Sequence, residues 1–119
     1  MRYATNRSGR WAIELLERGA HMVDGGDYDV IFPDQNCSNA MALDRRGAVH
    51  VTYAAPDGKG LKHGSNESGI WKFDFVDTSG DMAFSSLEAD PAGGLHAAYY
   101  DLSSKVIKYA RRDNKRWRN

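Results

Sequence analysis

The chain has one cysteine, Cys37, so no disulfide forms within it and no redox compartment follows from the count. It has no surplus of either charge, because 16 Lys and Arg balance 16 Asp and Glu. That balance removes any global pull toward nucleic acid or an anionic membrane. No apolar run approaches the roughly 18–20 residues that span a bilayer. The start, Met1-Arg2-Tyr3-Ala4-Thr5-Asn6, has no apolar signal-peptide core. The expectation is a cytoplasmic protein if the chain is full length, or else a piece of a longer one. There is no Cys/His cluster for zinc and no dense oxygen-ligand spacing for calcium. Nor is there a Gly-x-Ser-x-Gly or phosphate loop. No catalytic residue, metal or cofactor is therefore assigned.

What is present is enough apolar residue for a core, 41% of the chain with 11% aromatic, and a gap-free internal repeat. Residues 44–71 lie over residues 90–117 at an offset of 46: Asp44 on Asp90, Gly47 on Gly93, His50 on His96, Tyr53 on Tyr99 and Trp71 on Trp117. A partial third copy opens the chain, with Arg2-Tyr3-Ala4 matching Lys62-His63-Gly64 and Lys108-Tyr109-Ala110, and Trp11 matching Trp71. Repeats of this length mark arrays whose units cannot bury a core alone.

Each unit reads as short strands divided by turn signals. Ala40–Leu43 precedes the turn Asp44-Arg45-Arg46-Gly47, and Ser86–Ala89 precedes Asp90-Pro91-Ala92-Gly93. Asp first, Pro second and Gly fourth suit a type I turn. Strands follow around Val49–Tyr53 and Leu95–Tyr100, then Gly60–His63 and Val106–Tyr109. The last begins at the tryptophan, where Trp71, Phe73 and Phe75 alternate with Lys72 and Asp74. Trp11–Arg18 has helix formers, but its register with Trp71 predicts a strand. Four antiparallel strands in about 40–50 residues is the make-up of a β-propeller blade. The fold class expected is therefore all-β, with propeller blades of 46-residue period. The divisions are a partial blade at 1–18, an inserted loop at 19–38, a full blade at 39–77, and a blade lacking its last strand at 83–117.

The pattern Leu43-Asp44-x-x-Gly47-x-x-His50-Val51-x-Tyr53, then Leu61-Lys62, then Gly69-x-Trp71, resembles the repeat of bacterial sialidase-like propeller proteins and of sugar-binding propeller lectins. The resemblance covers nearly the whole chain apart from about residues 19–38. It implies blade architecture. The Asp-box of true sialidases is absent, since the turn is Asn-x-Ser-Gly-x-Trp at Asn6 and Asn66, and their arginine cluster does not map here. A non-catalytic module for glycans or another small ligand is the first functional expectation. A glycosidase-like enzyme assembled in an oligomeric ring and a protein-interaction scaffold are the alternatives.

The strand inventory counts nine, a little over two blades, whereas propellers use about 4–8 blades. An open arc leaves blade faces bare. A fragment of a longer propeller is one outcome. The other is a head-to-tail homo-oligomer of two or three chains, in which the surplus strand Trp11–Glu17 completes the neighbour's last blade. The acidic stretch 14–34 and the basic tail 105–119 suit that contact.

Candidate ligand contacts are His50 and His96, which repeat, and Trp71, whose ring could stack on a sugar. Each has a structural alternative: an imidazole strut to a turn or neighbouring strand, and a core tryptophan. The segment that does not repeat supplies Asp27, Tyr28 and Asp29, within 14 inserted residues. Inserted loops on a rigid scaffold are where binding function concentrates, although a plain surface loop or edge strand fits as well.

Overall fold

A computed structural model describes residues 1–17, 39–55 and 57–119. These residues form ten β-strands and no helix, so none long and apolar enough to cross a membrane. A hairpin of β1 (Arg2–Thr5) and β2 (Ala12–Leu15) comes first. A four-stranded antiparallel meander follows, β3 (Asn39–Leu43), β4 (Val49–Ala54), β5 (Leu61–Ser65) and β6 (Lys72–Asp77). A second meander has β7 (Met82–Ala89), β8 (Leu95–Asp101), β9 (Val106–Asp113) and β10 (Arg116–Arg118), in the same spatial order.

Away from the irregularities in β5–β6 and β7–β8, the pairing registers reproduce the sequence repeat. Ala42 faces His50 as Glu88 faces His96, and Tyr53 faces Lys62 as Tyr99 faces Lys108. The opening hairpin pairs Tyr3 with Glu14, as β5 and β6 pair His63 with Asp74. Local chemistry explains why. Asp44 and Asp90 each accept the backbone N–H of the glycine three residues on, at 2.9 and 3.0 Å. Gly47 and Gly93 then take φ of 79° and 93°, which side-chain-bearing residues adopt at a cost. The Asp44 carboxylate also accepts from the Arg46 and Ala48 amides, locking the turn.

The third unit differs from the expectation of a missing last strand. Arg116–Arg118 pairs with β9 and completes its sheet, so the described residues hold ten strands and not nine. The reason is the turn. In the second unit the chain travels from Ser65 to Lys72 before pairing resumes. In the third, Asn114 and Lys115 alone reverse it, at φ of 49° and 64°. Two successive positive φ values are the signature of a type I′ hairpin, whose twist matches that of its strands. The strand therefore starts early enough to form within the chain, and β2 of a neighbour is not needed there.

Sheets stack through opposite faces of the middle meander. Val49, Val51 and Tyr53 cover Tyr3 and Leu16 of the opening unit. On the other face, Leu61 joins Met82, Leu87, Leu95, Ala97 and Tyr99 in the main core, and Thr52 bonds Ser85 at 2.9 Å.

A polar clamp is repeated at both junctions. The Glu17 carboxylate ends the first unit and accepts from the Tyr53 hydroxyl and, at 2.6 Å, from the Lys62 ammonium. Asp77 ends the second and accepts from Tyr99 at 2.9 Å and Lys108 at 3.3 Å. Burial pushes the Asp77 carboxyl up, but bonds from Ser79, Tyr99 and Lys108 outweigh it and hold it down to about 2. Tyr99 is pushed up to about 12, chiefly by burial with help from Asp77.

Leu61 is 1% exposed, whereas its counterpart Ile107 is 79% exposed. Truncating Leu61 to Ala leaves a cavity between the sheets and is expected to cost about 2–5 kcal/mol in urea unfolding. A loss under about 1 kcal/mol would mean that the two meanders do not share this core.

Candidate functional site

The junction of the two meanders carries the densest polar chemistry among the described residues. Its floor is a line of four side chains. His63, on β5, places Nδ1 2.7 Å from an Asp74 oxygen on β6. Its Nε2 lies 3.1 Å from Nδ1 of His50 on β4. His50 Nε2 faces Asp44 of the β3–β4 turn at 3.4 Å. The two imidazoles stack at 11° with centroids 5.3 Å apart, and the Trp117 ring stands edge-on to His63.

Proton counting constrains this line. A neutral imidazole carries one N–H. Asp74 accepts from His63 Nδ1, so His63 Nε2 is an acceptor and His50 Nδ1 is the donor to it. His50 Nε2 then faces the Asp44 carboxylate without a hydrogen, which accounts for that contact being the longest. A further proton would fill it and leave an imidazolium in a buried site. Burial, then the neighbouring His63, hold the His50 pKa below the ordinary imidazole value, against the pull of Asp44. Asp44 is itself lowered, burial being outweighed by the Ala48 and Arg46 amides and by His50.

The matching line in the third unit needs no extra proton. His96 Nε2 lies 2.9 Å from Asp90, and His96 Nδ1 lies 2.6 Å from the Tyr109 hydroxyl. A hydroxyl donates to Nδ1 while Nε2–H donates to Asp90, so a neutral ring satisfies both contacts.

Above His63 a cleft of about 250 Å³ opens between the sheets. Ser65, Glu67, Lys72 and Asp74 of the second unit line it, with Arg112 and Lys115 of the third. Arg112 is nine-tenths buried and grips Glu67 through both terminal nitrogens, at 2.8 and 3.5 Å. That fork is a rigid, charge-assisted pair. The Arg112 hydrogen bond, against the opposing effect of burial, holds the Glu67 carboxyl below its usual range. The cleft widens over the turns into a groove of about 950 Å³, rimmed by Arg7, Arg45 and Arg46. Among the described residues no group of three His, Cys, Asp or Glu side chains is arranged to hold a metal.

The residues singled out from the sequence do not converge on one site. His50 lies buried under the cleft floor. His96 is half-buried on the far side of the third unit. Trp71 lies on the opposite face of the middle meander, edge-on to Tyr3 at 5.3 Å with its Nε1 donating to Glu14 at 3.1 Å. Asp27, Tyr28 and Asp29 lie outside the described residues. Sequence reasoning missed His63, Glu67, Asp74 and Arg112. The available signal was a second histidine, His63, on the strand next to His50 and on the same face. Arg112 carried none, because it stands where the second unit has Asn66.

No protein-family model matches the chain, and no curated protein does. Among solved structures it is similar to a fucose lectin from Kordia zhangzhouensis, determined in complex with methyl-fucoside. The identity is 19% and the TM-score 0.42, over 68% of this chain. The aligned part spans 60% of the lectin's length.

The buried histidine pair predicts acid sensitivity near neutrality. The folded His50 pKa lies below its unfolded value of about 6.5, so the unfolded chain binds more protons as pH falls through that value. Stability is full above it and declines below it. Thermal unfolding from about pH 8 to about pH 5 should show falling midpoints, with a shallower slope in His50→Gln. Equal slopes in both proteins would contradict this reading.

Proposed function

We propose that the chain is a non-catalytic carbohydrate-binding module made of β-propeller blades, with its ligand seated in the cleft between the second and third units. The observation that carries the proposal is the Glu67–Arg112 fork in that cleft, with Asp74, Lys72 and Ser65 around it. Fixed charged donors and acceptors close together suit a ligand covered in hydroxyls, each of which both donates and accepts. Two meanders of identical register, stacked face to face, support the blade reading. Assembly of two or three copies into a ring belongs to the same proposal.

The acid–base state of Glu67 favours binding over turnover. A glycosidase general acid needs a carboxyl with a raised pKa. Every carboxyl shift resolved among the described residues is downward, at Glu17, Asp44, Glu67, Asp77, Asp90 and Asp101. Glu67 is held ionised by Arg112 and so is a poor proton donor at neutral pH.

Titrating methyl glycosides into isotope-labelled protein should move the amide signals of Ser65, Glu67 and Arg112. Replacing Arg112 with Lys keeps the charge but removes the fork, and should weaken binding about tenfold, or about 1.4 kcal/mol. Arg111→Ala, on the opposite face of β9, should bind as the wild type does. The proposal fails if no glycoside in the panel shifts these signals, or if an aryl glycoside is turned over.

A further inference from the structure

We infer that a second copy of this chain stacks on the first, head to tail, with the Trp11 face of one lying on the Tyr109 face of the other. This rests on the blade reading above and adds the surfaces that meet. The argument is that the same contact is already made twice inside the chain. Trp71 of the second unit stands edge-on to Tyr3 of the first, and Trp117 of the third stands edge-on to His63 of the second, both at 5.3 Å. Tyr3, His63 and Tyr109 are equivalent, as are Trp11, Trp71 and Trp117. Two of the three tryptophans and two of the three acceptors are used. The unused pair is Trp11 and Tyr109, and both are bare, at 74% and 56% exposure.

The surroundings of the unused pair follow the same rule. His63 is 1% exposed beneath the third unit. Its neighbour on the same face, Leu61, is buried there too, and their counterparts Tyr109 and Ile107 are both open. At the other end, Ile13 and Leu15 share the Trp11 face of β2 and are exposed. Their counterparts, Phe73 and Phe75, lie on the face of the middle meander that Trp71 presents to the opening hairpin, and stay partly open at 38% and 46% against 70% and 51% for Ile13 and Leu15. Each end of the chain therefore displays one half of an interface that the interior shows completed. Exposed apolar surface of this extent on complementary ends is a partner site. The two halves differ, so the contact is heterologous and propagates until it closes. It works by stacking one sheet face on another and adds no strand to the third meander, whose fourth position β10 already fills.

Sedimentation equilibrium at micromolar protein tests it. The wild type should exceed the mass of one chain, with two- or three-chain rings expected. Trp11→Lys and Tyr109→Lys should each sediment as one chain while keeping the wild-type circular dichroism. An equimolar mixture of the two should recover a two-chain species, because each variant retains the half that the other lost. Ile13→Lys and Ile107→Lys form a second pair should either first variant fail to fold. A monomeric wild type, assembly that survives in the variants, or a mixture that stays monomeric would each overturn the inference. Glycoside binding measured on the wild type beside its mass separates the two proposals. A wild type that binds glycoside but stays monomeric overturns the stacking alone, and one that assembles but binds no glycoside overturns the ligand reading alone.

Discussion

The structure depends on a carboxylate placed at the end of each unit where the next must cover it. Glu17 and Asp77 occupy equivalent positions, and each receives a tyrosine hydroxyl and a lysine ammonium from the following unit. Asp77 is buried. A buried carboxylate without partners is far more costly than one whose donors are in place. Only a narrow range of sheet positions brings both donors within reach, so the clamp fixes the offset between units. Apolar contacts then fill the space that this offset leaves. Leu61 and Tyr99 enter one core on that basis, and Val51 and Tyr53 enter the other.

Once the offset is fixed, differences between units become chemistry. Tyr109 and His63 hold the same place, but the hydroxyl completes an Asp–His–Tyr line around a neutral ring while the imidazole leaves one contact short of a proton. Asp74 and Glu14 also hold the same place. Glu14 reaches the Trp71 indole, whereas Asp74, one methylene shorter, is taken by His63. The Trp117 indole nitrogen accordingly has no partner among the described residues. Arg112 replaces the Asn66 of the preceding unit and brings a guanidinium into the junction, where Glu67 meets it. The cleft is thus made by departures from the repeat at a junction that the repeat positions.

The architecture was legible because equivalent residues recur at a fixed spacing and periodicity carries strand register directly. Asp44, Gly47 and His50 against Asp90, Gly93 and His96 predicted turns and pairings that the structure contains. The last strand was misjudged because it rests on Asn114 and Lys115 both adopting positive φ, a conformation that Asn favours but Lys does not announce. The clamp was hidden because Glu17 and Asp77 differ in type and are related at a spacing of 60, whereas the full units repeat at 46. The site was legible only in part. Lone histidines and tryptophans repeat wherever packing requires them. The pairing of Glu67 with Arg112 joins residues 45 apart that no local pattern connects.

The central claim is that the terminal carboxylate of one unit holds the next, and a double-mutant cycle measures this directly. Tyr99→Phe and Asp77→Asn form one cycle, and Tyr53→Phe and Glu17→Gln the other, each read by urea unfolding. The account predicts a favourable coupling of about 1–3 kcal/mol in both cycles. Coupling within about 0.3 kcal/mol of zero in either would contradict it, since the units would then be held by apolar packing alone.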